Sequence, residues 1–342
     1  MQKPLQMLLL FFAFINYHSV NCMGTVPFGT VEKYHLNLSV NTVGGSKIFF
    51  ENLARPCAGF FFGVFMNSSE IKQRIEKAVN DAKEKKPLAP SITNTVTVNL
   101  VANAQLAVGG SAAMVYLPDE GECVAQIGGA VYLNMGTLFP IYEETIPRTA
   151  KKLSELKKNW VLDPVGLGIG SLRTKLILGL KDNPPTIIRG NASEIIAVAE
   201  LWNVSEFENS NGPVGVDSVD SVESAEKAAR ALAKFIHGAV AVSGKEDLVT
   251  DGTTTVFSKG GSAYMEQITG AGCSLGGVCA VYAAVSDPFT AALTATQIYN
   301  FAGQQAEKKC RGSGSFQVCF LDELNNATAQ DVAENPFTIK EE

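Results

Sequence analysis

The chain is poor in histidine, in paired cysteines and in long apolar runs, and each shortage removes a class of function. Only three histidines occur, His18, His35 and His237, too few to suggest histidine-based catalysis or a zinc site. The seven cysteines are odd in number and irregularly spaced, with neither C-x-x-C pairs nor a disulfide framework. No apolar stretch reaches the roughly 18 residues that a membrane-spanning helix needs, so no span is expected. A basic block is missing too: 28 basic residues against 34 acidic give a net charge of −6, which argues against a nucleic-acid partner. What remains is 46% hydrophobic and 18% charged over 342 residues. That suits one large domain or two ordinary ones, and it excludes whole-chain disorder.

Residues 1–66 differ from the rest. They hold ten of the nineteen phenylalanines but only two of the thirty-four acids, Glu32 and Glu51. Lys3, the apolar run Met7–Ile15 and a polar stretch ending at Cys22 resemble a secretory signal. The alternative is an upstream stretch joined to a protein that naturally starts near Met66. A second apolar run, Ala58–Met66, is too short to span a bilayer. The expected organisation is an extension over 1–66 and a single domain over 67–342.

Beyond Met66 short apolar runs alternate with helical patterns. Strands are expected at Ala113–Leu117, Gly129–Leu133, Trp160–Val165, Pro185–Arg189 and Ala239–Ser243. Helices are expected at Ile71–Lys86, Ile141–Asn159, Arg173–Leu180, Asn191–Trp202 and Ala225–His237, with a polar loop at Asn209–Ser221. The last third, Gly270–Val285, Pro288–Lys309 and Phe316–Glu334, also reads as helical. Continuous apolar strands between helices predict an α/β fold: a mostly parallel central sheet with helices on both faces. Ligands then bind along the edge where the strands end. Thr93–Val101 is ambiguous, strand by its β-branched content, although Ala102–Val108 continues as helix.

Four segments fall at expected strand ends. Asp163-Pro164-Val165-Gly166 puts an acid before a glycine-rich turn, which suits a metal or phosphate but is more often a plain loop. In Arg189–Glu194 (RGNASE), Asn191 and Glu194 have capping-box spacing. The functional reading gives Glu194 a Mg²⁺ hydration shell and Arg189 a phosphate. Ser243 closes a strand and carries little weight alone. The most specific segment is Gly270-Ala271-Gly272-Cys273, leading into an apolar helix. Its amides form an anion hole for a transferring phosphoryl group, and a thiol in a first helical turn is expected to have a lowered pKa. A buried Gly/Cys helix start is the competing reading.

Together these segments resemble the hydroxyethylthiazole kinases of the ribokinase-like superfamily. The resemblance runs from about Met66 to Asn335 and includes Thr93-Asn94, Gly109–Met114 (GGSAAM), Asn134–Leu138 (NMGTL), DPVG, RGNASE, GAGC and Gly314-Ser315-Phe316. It implies ATP-dependent phosphorylation of the hydroxyl of 4-methyl-5-(2-hydroxyethyl)thiazole, a salvage step in thiamine synthesis. By that resemblance Met114, Gly270 and Asn94 lie on the substrate side, and Arg189 and Ser243 bind ATP. Asp163 and Glu194 organise Mg²⁺, Gly270, Ala271 and Gly272 form the anion hole, and Cys273 stands where related kinases carry an aspartate base. It also implies a homotrimer with interfacial active sites, and helix rather than strand for Thr93–Val101. Other readings are a hydroxymethylpyrimidine kinase of the same superfamily and a non-catalytic thiazole- or thiamine-binding protein. Despite the signal-like start, a cytoplasmic location is expected, because Asn191-Ala192-Ser193 is a glycosylation sequon inside the proposed Mg²⁺ loop.

Overall fold

A computed structural model of the chain describes residues 66–204 and 222–340. The signal-like run Met7–Ile15, the run Ala58–Phe65 and the polar loop Asn209–Ser221 lie outside them. Helix α1 (Ser68–Lys85) starts on Asn67, whose side chain accepts from Glu70 N–H at 2.9 Å. Its Ile71, Ile75, Ala78, Val79 and Ala82 recur at helical spacing and are buried. Strand β1 (Leu88–Ile92), α2 (Val98–Ala107), β2 (Ser111–Met114), α3 (Pro118–Ile127) and β3 (Ala130–Asn134) follow. Then come α4 (Tyr142–Glu155), β4 (Asn159–Asp163), α5 (Ser171–Gly179), β5 (Ile187–Asn191), α6 (Ala192–Leu201) and α7 (Val222–Ile236). The chain continues through β6 (Ala239–Ser243), β7 (Asp247–Thr250), β8 (Thr255–Ser258) and α8 (Ala271–Ala283). It closes with α9 (Pro288–Lys309), α10 (Ser313–Asn326), α11 (Ala329–Glu334) and β9 (Phe337–Lys340).

The nine strands form one sheet in the order β2-β1-β3-β4-β5-β6-β7-β8-β9. From β2 through β6 neighbouring pairs are parallel, and the remaining three pairings are antiparallel. This is the expected mostly parallel sheet. Alternation sets the two cores: Tyr132, Val161 and Ile187 face one cluster, built on α1, α2 and α8–α11. Val131, Leu133, Leu162 and Ile188 face the other, built on α3–α7. A fully buried Ile or Val contributes about 1.5–3 kcal/mol relative to exposure, so both faces anchor the sheet.

Helix α8 is buried on all sides from Ser274 to Ala283, and its glycines let neighbouring side chains approach closely. The segment after Thr93 follows the resemblance rather than strand propensity. Thr95–Thr97 form a turn into α2, fixed by Asn94 Oδ1, which accepts from the Val96 and Thr97 amides, each at 3.1 Å. Among the described residues no helix is long and apolar enough to cross a membrane.

Candidate active site

Side chains that alternate along parallel strands bring one polar row to the C-terminal edge of the sheet. Asn134 and Asp163 are register partners at the ends of β3 and β4, and Arg189 follows on β5. Asp163 is fully buried. Its Oδ2 accepts from Tyr132 Oη at 2.8 Å and Asn134 Nδ2 at 3.2 Å. Arg189 Nη1 lies 3.4 Å from both carboxylate oxygens, a loose ion pair rather than a tight fork. Arg189 Nη2 donates to Ser243 Oγ at 3.0 Å, while its Nε is buried without a hydrogen-bond partner. Burial pushes the Asp163 carboxyl up to about 6, against the pull of Arg189. For Arg189, burial opposes the charge, and Asp163 and Glu194 outweigh it, so the guanidinium stays cationic.

The N-terminus of α8 arrives above this row. Gly270, at φ +95°, is its N-cap, and a Cβ there would sit 2.7 Å from Thr97 Cγ2. A Cβ on Gly272 would sit 2.9 Å from Arg189 Nη1 and Nη2, so the guanidinium lies against the first turn of the helix. The amides of Ala271, Gly272 and Cys273 belong to that turn, where N–H groups have no intrahelical partner. Two positive poles, a helix N-terminus and a guanidinium, thus face one another, an arrangement that favours an anion between them. Beside them opens a cleft of about 730 Å³, lined by Arg189, Ser243, Ala271, Gly272, Asp247 and Asn300 among others. Its size suits a nucleotide.

Cys273 is half-buried, and Asn94 Nδ2 lies 3.5 Å from its Sγ. Its thiol does not follow the expectation of a lowered pKa. Burial, then the charge of Asp163, raise it, and the opposing pulls of Thr97 and Arg189 are weaker.

Glu194 makes the capping box that its spacing implied. Asn191 Oδ1 accepts from Glu194 N–H at 2.9 Å, and Glu194 Oε2 accepts from Asn191 N–H at 2.9 Å. Its other oxygen, Oε1, accepts from Gly166 N–H at 3.1 Å, so Glu194 also ties the DPVG turn to α6. The carboxylates of Asp163 and Glu194 are hard oxygen donors of the kind Mg²⁺ takes. They fit an ion that keeps most of its water, because Asp163 Oδ2 and both Glu194 oxygens already accept protein hydrogen bonds. No group of three or more His, Cys, Asp or Glu able to hold a metal occurs among the described residues.

Met114 ends the edge strand β2, half-buried against the first core cluster. Asn94, expected to contact substrate, is buried with its amide fully engaged, because Nδ2 also donates to Asn134 Oδ1 at 2.9 Å. The structure makes it a brace between the α2 turn, β3 and Cys273.

Three further neighbours of the row carry no motif signal that marks them as such. Period-two spacing puts Tyr132 and Asn134 on the face of Asp163. Arg173 donates from Nε to Met135 O and from Nη2 to Gly136 O, each at 2.7 Å, closing the loop after β3.

A mostly parallel sheet with an anion-binding helix start, a buried Asp–Arg pair and a nucleotide-sized cleft defines a small-molecule kinase of ribokinase-like fold. A ribokinase-like superfamily protein from Enterococcus faecalis V583 shares the fold at a TM-score of 0.53, with 10% identity, covering 78% of this chain and 96% of that one. The chain belongs to the hydroxyethylthiazole kinase family, whose profile matches residues 79–330. It is 51% identical over 290 residues to the hydroxyethylthiazole kinase of Bifidobacterium longum (strain DJO10A), covering 80% of this chain and 92% of that one. The Leptospira interrogans enzyme of that name (serovar copenhageni) is 39% identical over 267 residues, covering 76% and 98%. The hydroxyethylthiazole kinase structure from Pyrococcus horikoshii OT3 aligns with a TM-score of 0.70 and 28% identity, covering 79% of this chain and all of that one.

Proposed function

We propose that the protein transfers the γ-phosphoryl group of ATP to the hydroxyl of hydroxyethylthiazole. The observation that carries this is the Arg189–Asp163 pair pressed against the start of α8, with Cys273 in the same turn. ATP lies in the cleft, with its terminal phosphate between Arg189 and the Ala271 and Gly272 amides. The thiazole alcohol approaches from the side of Gly270 and Met114. The alcohol oxygen bonds to phosphorus as the bond to the β-phosphate oxygen breaks, and the hydroxyl proton leaves late, to water or the new phosphate. In a loose transition state such positioning and charge stabilisation supply most of the rate. Cys273, held protonated, orients the hydroxyl rather than acting as an obligate base. Asp163 and Glu194 would hold Mg²⁺ through its water, and the ion would supply charge neutralisation for the phosphates when bound.

The active assembly is a homotrimer with the thiazole site at a subunit boundary. Leu117, Phe139 and Ile141, all large and apolar, are 48%, 43% and 37% exposed. Leu117 lies just beyond the end of β2, and Tyr142 stacks on Tyr116 at 6.4 Å and meets Phe139 at a tilt at 6.1 Å, so aromatic rings gather next to these exposed residues. The working location is the cytosol. A glycan on exposed Asn191 would burden the residue whose side chain caps α6 and sits beside Glu194.

ADP release measured with Mg²⁺, ATP and hydroxyethylthiazole, against a hydroxymethylpyrimidine control, tests the reading. Turnover with the thiazole only is expected. Turnover confined to the pyrimidine favours the sister kinase, and none with either, for folded protein, favours a binding protein.

A further inference from the structure

Tyr132 is the largest side chain at the polar row. It is wholly buried, yet its hydroxyl does not face core: it donates to Asp163 Oδ2 at 2.8 Å and accepts from Asn134 Nδ2 at 2.8 Å. Asn134 also donates to the same Oδ2 at 3.2 Å. Two close protein donors therefore hold Oδ2, while Oδ1 has only the 3.4 Å contact that Arg189 Nη1 makes equally to both oxygens. That asymmetry fixes the rotation of the carboxylate and leaves Oδ1 as the oxygen able to take a new ligand.

The ring reaches this position because α8 has no side chain in its way. A Cβ on Gly276 would lie 2.4 Å from Tyr132 Cε2, 2.7 Å from Cζ and 2.8 Å from Oη, closer than packed atoms come. On the neighbouring strand the register partner of Tyr132 is the small Ser91. The missing side chain is thus matched to the phenol end of the ring, the part that carries the hydrogen bond.

Resting on the kinase reading above, we infer that Tyr132 is a positioning residue for phosphoryl transfer. It orients the Asp163 carboxylate through its hydroxyl, and Gly276 is the gap in α8 that lets it do so. Neither residue touches substrate in this arrangement. A hydrogen bond to a charged group is worth more than a neutral one, and its loss inside a buried row is not compensated by water. The effect falls on the step that uses Asp163, not on capture of the thiazole.

The experiment compares full-length wild type with Tyr132→Phe, Gly276→Ala and the double variant Tyr132→Leu/Gly276→Ala. Each is assayed for kcat and for KM toward hydroxyethylthiazole. ADP affinity is measured by calorimetry with Mg²⁺ and with chelator. Tyr132→Phe keeps the ring and loses only the hydroxyl. The expected result is a kcat lower by about tenfold, with the KM for the thiazole within about twofold. The Mg²⁺-dependent gain in ADP affinity should shrink, while the metal-free affinity holds. Gly276→Ala displaces the ring and should show the same pattern. The double variant refills the space, so its Tm should recover toward wild type while kcat stays low, which separates orientation from packing. Tyr132→Phe with wild-type kcat and an unchanged Mg²⁺ effect overturns the inference. A recovered kcat in the double variant overturns it as well, since packing alone would then suffice. A wild-type protein inactive toward hydroxyethylthiazole would refute the kinase reading instead, a separate failure visible in the first assay.

Discussion

Cys273 stands where a carboxylate base would be expected, and its surroundings decide what a thiol does there. Burial and the nearby Asp163 charge raise its pKa, so the sulfur stays a neutral, weakly polar group beside the Asn94 amide. Cys273→Ala should therefore lower kcat by about ten- to a hundredfold, at or below the low end of a general acid–base contribution and far short of removing an obligate nucleophile. Cys273→Asp restores a carboxylate and should be active. If steady-state kinetics show both variants dead yet folded, the thiol itself is essential. The raised pKa also predicts selectivity among the cysteines. Iodoacetamide at pH 7.5, followed by peptide mass spectrometry, should label exposed Cys123 well before Cys273, by about tenfold or more in rate. Arg189→Ala should cost more than either Cys273 change, about a hundred- to a thousandfold in kcat, because it removes the guanidinium that lies against the first turn of α8.

At the start of α6 the structure gives Glu194 a structural duty, and the proposed function adds a chemical one. Glu194 closes a capping box with Asn191 and holds the Gly166 amide, so removing it loosens a helix and a loop together. Glu194→Gln keeps an acceptor for the cap and discards the charge. Glu194→Ala should lower stability by about 1 kcal/mol, and Glu194→Gln by less, as read from denaturant midpoints. Both should lose most activity at saturating ATP if the proposed organisation of Mg²⁺ depends on that charge. Full activity in Glu194→Gln would leave the residue a cap and nothing more. This element also marks how far the sequence could be read. Asn191–Trp202 and Ala239–Ser243 were legible because capping spacing and unbroken apolar runs are strong local signals. Strand β1, with Pro90 inside it, and β7 to β9, four residues each, were not. Their pairing rests on distant partners rather than on a local pattern. In the same way Asp163, Arg189 and Cys273 were visible as motif residues. Tyr132 was not, because its role depends on a gap in a helix 144 positions further along the chain.

At the scale of the whole molecule, the described sheet and both helical layers span residues 68–340, and all the site residues named above lie within that range. The first described helix, α1, already has a complete N-terminus: Asn67 caps it, Glu70 sits in its first turn, and Ile71 and Ile75 are buried in the core. A chain starting at Met66 therefore retains the cap and every contact of the described domain that the site uses. We expect it to fold, with a Tm within a few degrees of the full chain, and to phosphorylate hydroxyethylthiazole with kcat and KM within about twofold. By the same argument it should sediment as a trimer, because Leu117, Phe139 and Ile141 are all present. Starting instead at Ser69 would remove the Asn67 cap, which is worth about 0.5–2 kcal/mol, and should lower the Tm while sparing kcat. The measurements are thermal melts, analytical ultracentrifugation and the ADP-release assay on the three chains side by side. A Met66 chain that is insoluble or monomeric, next to a full-length trimer, would make residues 1–65 part of the working protein and refute their reading as an appendage.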